Sequence, residues 1–104
     1  MVLSIDTADS QETKVLLKDQ KGKNLDSLVS QRRYGSQVLI SQIEKILKRN
    51  KISFDNLTGI EINEGPGSFT GLRVGTSCAN ALGHFLQIPV NGQKVGQIVL
   101  PKYE

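Results

Sequence analysis

Tryptophan is absent from the 104-residue chain, and histidine, cysteine and methionine occur once each. The single thiol, Cys78, excludes an internal disulfide and gives no sign of an oxidising compartment. The single imidazole, His84, excludes the HxxxH and HExxH metal pairs, and a zinc site built on Cys78 and His84 would still lack two ligands. The same two residues are poorly placed for nucleophilic catalysis, because helical spacing sets them about 120° apart. Long apolar runs are also missing. None nears the roughly 20 residues that span a bilayer, and the start MVLSIDT has neither a basic leader region nor a long apolar core. A cytoplasmic chain without a membrane segment is the expectation.

What remains is ordinary for one globular domain. Hydrophobic residues make up 38% and charged residues 22%, which favours neither disorder nor a fibrous repeat. A chain of this length forms one domain and buries roughly two thirds of its unfolded surface. The net charge of +3, from 13 Lys and Arg against 10 Asp and Glu, is mild. Lys14, Lys18, Lys21 and Lys23 are interleaved with Glu12 and Asp19. Dense basic groups occur only at Arg32 and Arg33 and at Lys48, Arg49 and Lys51, where a solvated surface is the simplest explanation.

The first third reads as strands. Val2, Leu3 and Ile5 form one apolar run, and Val15 to Leu17 form a second before the turn signal Lys21-Gly22-Lys23. Leu25 to Ser30 makes a third. Short connections between them, with Asp6 to Ser10 as the first turn, predict an antiparallel meander. From Ser36 to Arg49 the period changes to helical: Leu39, Ile43, Ile46 and Leu47 fall on an arc of roughly 120°. Ser36 is a candidate N-cap, and Lys48 and Arg49 suit the negative end of the helix dipole. Gln42, Glu44, Lys45 and Lys48 lie outside the apolar arc, as does Val38, which marks a candidate second contact.

Thr58 to Asn63 alternates as a half-buried strand and enters the run GPGSFTG, Gly65 to Gly71. A second helix is predicted to about Gln87, ended by Pro89 beside a short segment, Ile88 to Val90. Val95 to Leu100, closed by Pro101, is predicted as an edge strand. The order β-β-β-α-β-α-β implies an α/β domain with a mixed five-stranded sheet and helices packed on it.

The second helix carries too much apolar surface for a helix lying on one sheet. Leu72, Gly75, Ala79, Leu82 and Leu86, extended by Val74, Cys78, Ala81 and Phe85, cover an arc of roughly 200°. Gly71, Gly75, Ala79 and Gly83 recur every fourth residue, a spacing that lets another backbone come close. Glycine inside a helix costs about 1 kcal/mol, so Gly75 and Gly83 require a compensating contact. Two partners are open for that face: this chain's own first helix, or a second protein chain.

The GPGSFTG loop joins a strand to a helix, a place where backbone N–H groups can hold an anion. The phosphate-loop pattern GxxxxGK[ST] and the GxGxxG spacing are both unmet, and Pro66 removes a donor. A rigid turn, with Ser68 or Thr70 as N-cap and Phe69 packed inward, is the favoured reading. Arg73, one turn into the helix, is the best single candidate for a specific contact, with pairing to Glu64 as its ordinary alternative. Asp6, Asp9, Glu61 and Glu64 could meet at strand ends around Mg²⁺, a weak signal because strand-end acids are common. No complete catalytic constellation is visible.

The segments IDTADSQETKVLL and GSQVLISQIEKILKRNKISFDNLTGIEINEGPGSFTGLRVGTSCANALGHFLQIPV resemble the N-terminal domain of the TsaB (YeaZ) family, over residues 1 to about 92. GPGSFTGLRVG is highly specific to that family. The resemblance implies an RNase H-like half of the actin and Hsp70 ATPase fold, and a non-catalytic scaffolding subunit with no catalytic or metal residues. Its implied partners are TsaD and TsaE, with tRNA modified at position 37 to N6-threonylcarbamoyladenosine. The chain alone is expected to bind no cofactor, ATP or ADP being compatible with the partner complex.

In the family the two N-terminal helices contact TsaD or a second TsaB. Carried over, the implied interface is Val38, Ser41, Gln42, Lys45, Gly71, Gly75, Ala79, Leu82, Gly83 and Leu86. The implied motif loop is Gly65, Pro66, Gly67, Ser68, Phe69, Thr70, Gly71 and Arg73. Asp6-Thr7-Ala8-Asp9-Ser10 lacks the glycine of an actin-type phosphate turn, which speaks against nucleotide binding there. Typical members continue into a second domain, which this sequence does not contain, so residues 1–104 are expected to form a single domain. Pro101-Lys102-Tyr103 resembles the PxY segment near the family's C-terminus, which fits a one-domain form; an interrupted chain is the other reading. Alternatives to the scaffold are an actin-fold nucleotide-binding enzyme, a peptidase-like superfamily member, or direct tRNA binding through Arg32, Arg33 and Lys48 to Lys51.

Overall fold

The structure, a computed structural model, describes residues 1–31 and 36–103. Three strands, β1 (Val2–Asp6), β2 (Glu12–Lys18) and β3 (Asn24–Gln31), lead into helix α1 (Ser36–Arg49). A short 3-10 turn at Phe54–Asn56 precedes β4 (Gly59–Ile62), and helix α2 (Phe69–Leu86) follows. The strands lie in the order β3-β2-β1-β4, with β1 antiparallel to β2 and parallel to β4. The meander is held by its turns. Between β2 and β3 the Asp19 carboxylate accepts from the backbone N–H groups of Lys21 and Lys23, both at 2.9 Å, and Gly22 takes φ +84°.

Period-two alternation decides which face of the sheet is covered. Leu3 pairs with both Leu17 and Ile60, and Ile5 with both Val15 and Ile62, so these six side chains share one face. Both helices lie on it. Leu39, Ile43, Ile46 and Leu47 of α1 and Cys78 and Ala79 of α2 complete the core. Each fully buried Leu or Ile contributes about 1.5–3 kcal/mol, which is why the alternation is strict in β1 and β2.

Helix α1 runs over the predicted Ser36 to Arg49. Ser36 is its first residue; its capping role, like Arg32 and Arg33, lies outside what the structure describes. Helix α2 begins at Phe69, because Ser68 is its N-cap, with Oγ accepting from Gly71 N–H at 3.2 Å. It ends where Gln87 turns left-handed, at φ +56°, two residues before Pro89.

Two expectations are corrected. Among the described residues the sheet has four strands, not five. Val90 makes a single parallel bridge to Ile60, after which Gly92 and Gly96 take positive φ and turn the chain aside. The Asn80 carboxamide then takes both backbone groups of Val99, accepting from its N–H and donating to its C=O at 2.8 Å each, so a side chain replaces the predicted fifth ladder. Phe69 points outward rather than inward, 58% exposed, where its ring stacks on Tyr103, while Gly71 and Leu72 of the same turn are buried.

Candidate functional site

The motif loop between β4 and α2 is wedged between two other segments. Ser68 N–H donates to Ala8 C=O at 2.8 Å, and a Cβ on Gly67 would overlap Ala8. On the other side a Cβ on Gly65, at φ +118°, would strike the Lys102 carbonyl. Three of the loop's backbone donors are spent internally: Gly65 N–H on Asn63 Oδ1 at 3.0 Å, Ser68 N–H on Ala8, Gly71 N–H on Ser68 Oγ. The loop is a packed joint.

The four carboxylates do not converge. Asp6 accepts from Ala8 N–H at 3.0 Å and Asn63 Nδ2 at 3.2 Å, and Asp9 accepts from Gln11 N–H at 2.7 Å. Glu61 pairs with Lys18 at 2.9 Å and Glu64 with Lys102 at 3.3 Å. Among the described residues no His, Cys, Asp and Glu group is arranged to hold a metal ion. Glu64 is paired with Lys102, not with Arg73, whose guanidinium lies over the Phe69 ring, 5.6 Å from its centroid.

The small-residue face of α2 meets this chain's own sheet side at Gly75 and Gly83. A Cβ on Gly75 would collide with Thr7 and Ile62, and one on Gly83 with Val90. Gly71 and Ala79 are buried too. These four are thereby removed from the expected interface. Gln42 is removed with them: it is 6% exposed, and its Nε2 donates to the carbonyls of Thr13 at 3.0 Å and Leu28 at 2.9 Å. Gln42 and Arg49 reach toward β2 and β3, and helical spacing puts Val38 about 40° and Lys45 about 60° from Gln42, on the flank of α1 away from α2. Ser41 is exposed between the two flanks.

What α1 and α2 do leave open together is an apolar groove of about 380 Å³, lined by Ile40, Ser77, Cys78, Ala81, Leu82 and Phe85. Phe85 is 83% exposed there, far beyond what a folded monomer gains from a large aromatic ring. Cys78 forms part of the floor, and burial pushes its thiol up to about 11. Of the residues expected at an interface, Leu82 lines this groove and Leu86, half-buried, lies one turn beyond it. Ile40 carries little signal in the sequence, because it sits at the margin of the α1 apolar arc. Phe85, Ala81 and Cys78 had a signal, the excess width of the apolar arc on α2. Among the described residues no helix is long and apolar enough to cross a membrane.

A family model described as TsaD, tRNA N6-adenosine threonylcarbamoyltransferase, matches residues 29–93. The chain belongs to this family, and within it to the TsaB (YeaZ) group. It is 33% identical over 64 residues to the tRNA threonylcarbamoyladenosine biosynthesis protein TsaB of Buchnera aphidicola from Schizaphis graminum, covering 62% of this chain and 30% of that one. To TsaB of Haemophilus influenzae it is 29% identical over 89 residues, 86% of this chain and 37% of the relative. Its fold matches YeaZ from Pseudomonas aeruginosa with a TM-score of 0.77 at 26% identity, covering 89% of this chain and 43% of that one. That likeness agrees with the α/β, RNase H-like expectation. The chain spans less than half the length of each of these relatives.

Proposed function

We propose that this TsaB-family chain is a non-catalytic activating subunit that binds a TsaD-type threonylcarbamoyltransferase, with TsaE joining them, in the N6-threonylcarbamoyladenosine modification of tRNA at position 37. The observation that carries this reading is the groove between α1 and α2, with Ile40 and Phe85 exposed at its rim and Leu82 half-buried in its lining. Each large apolar side chain that a partner covers there contributes about 1.5–3 kcal/mol. A cluster of three is enough to act as the anchor of an interface. Ligands of ATP or ADP type would then belong to the assembled complex, and the cell compartment is the cytoplasm, where tRNA is modified.

The test is reconstitution. The purified chain mixed with a TsaD-type protein and TsaE should co-elute in gel filtration and raise threonylcarbamoyl transfer to tRNA. Failure of both overturns the proposal. Self-association through the same helices would appear instead as a dimer that a TsaD-type protein does not dissociate. Turnover of ATP or of a peptide by the chain alone, lost in Asp6→Asn, would make it an enzyme and contradict the non-catalytic assignment.

A further inference from the structure

Five residues of this chain are aromatic, three Phe and two Tyr, and two of them meet on its surface. Phe69, the first residue of α2, stacks on Tyr103 with ring centroids 4.5 Å apart and planes 28° from parallel. Phe69 is 58% and Tyr103 40% exposed, so the stack presents π-surface to solvent instead of filling the core. Arg73, one turn along, lies over Phe69. Its guanidinium has no carboxylate partner among the described residues, since Glu64 is held by Lys102. Beside the stack is a surface cavity of about 350 Å³, lined by Phe69, Thr70, Arg73, Val74 and Ser77. Its lining differs from that of the α1/α2 groove: a cation and two hydroxyls accompany the aromatic ring.

Ring faces, a planar cation and hydroxyls gathered on one surface supply the kinds of contact that one nucleotide takes. A base stacks on an aromatic ring, a phosphate takes the guanidinium, and sugar hydroxyls find Ser and Thr. Ser77 lines both this cavity and the α1/α2 groove, so the two surfaces adjoin along α2. We infer that Phe69, Tyr103 and Arg73 form a contact site for an unpaired nucleotide of a single-stranded RNA segment, next to the partner-binding groove. The inference concerns the RNA side of the proposed function and needs no protein partner for its test.

The experiment is fluorescence anisotropy of a labelled single-stranded RNA of about 12 nucleotides, within the usual span of such sites, titrated with the full chain over a series of salt concentrations. The site predicts saturable binding that weakens about tenfold or more in Phe69→Ala and in Tyr103→Ala, as expected for one stacked base. Arg73→Ala should weaken binding and flatten the log–log salt slope by about 0.7, the amount for one phosphate on a single strand. Lys48→Ala should leave the stacking contribution intact, and a duplex of the same sequence should bind less well. All substituted side chains are exposed, so circular dichroism and the thermal midpoint should stay near wild type. Absence of RNA binding overturns the inference. So does binding that the aromatic variants leave unchanged, or a loss of TsaD association in these variants without any RNA binding. RNA binding without TsaD association would leave this site standing and remove the proposed function instead.

Discussion

A Cβ placed on Gly75 would collide with Oγ1 of Thr7, the hydroxyl that donates to the Gly71 carbonyl at 2.6 Å. Thr7 follows β1 and Gly75 lies in the middle of α2, so the contact clamps the second helix onto the first strand. Gly75→Leu should therefore act on folding. Overpacking at such a contact costs about 1–3 kcal/mol or more, to be read as a lower urea midpoint. An unchanged midpoint would show that the glycine spacing of α2 serves something other than close packing on Thr7.

Asp26 and Arg49 tie the edge of the sheet to the end of α1. The guanidinium donates to both carboxylate oxygens, at 2.8 and 2.7 Å, and Asn50 Nδ2 adds a third bond at 2.8 Å. The hydrogen bonds from Arg49 and then Asn50 hold the Asp26 carboxyl down to about 2 from 3.8. A carboxylate whose pKa is lowered by folding stabilises the fold above its unfolded value, and that stabilisation fades as pH falls from about 4 toward 2. Denaturation midpoints measured across that window should fall in the wild type, and fall less steeply in Asp26→Asn. Parallel profiles would mean that the pair is not coupled to folding.

The thiol of Cys78 supplies a probe of the groove. With burial holding it near 11, the thiolate fraction at pH 8 is about one in a thousand. Alkylation by iodoacetamide should run about a hundredfold slower than for a free cysteine, rise tenfold per pH unit, and become fast on unfolding. Reaction at the rate of a free thiol would contradict the burial of Cys78 in the floor of the groove.

Much of the fold is legible in local pattern. The bounds of α1, the Ser68 cap and the three-strand meander follow from period and turn chemistry, which act over a few residues. The misses are tertiary. Nothing near Gly75 in the chain announces that Thr7 is its neighbour, so small residues at every fourth position read equally well as a helix interface or a second chain. Gln42 is polar on the helical wheel, yet it buries its carboxamide to satisfy carbonyls on β2 and β3. Val95 to Leu100 has strand composition, but Asn80 captures Val99 before any ladder can form. The candidate docking groove was half legible: the roughly 200° apolar arc of α2 required two covered sides, and only the structure separates the sheet side from the open one at Phe85.

The central claim is that the open side of α2 is an anchor for a TsaD-type partner, and its most direct measurement is the affinity of the chain for that protein by isothermal titration, wild type against Phe85→Asp. Phe85 is almost fully exposed, so the variant should keep the thermal midpoint of the wild type. The groove predicts binding by the wild type and a loss of about 30-fold or more in the variant, the scale of a buried aromatic anchor. Equal affinities in the two proteins would place the partner elsewhere, and absence of binding by both would remove it.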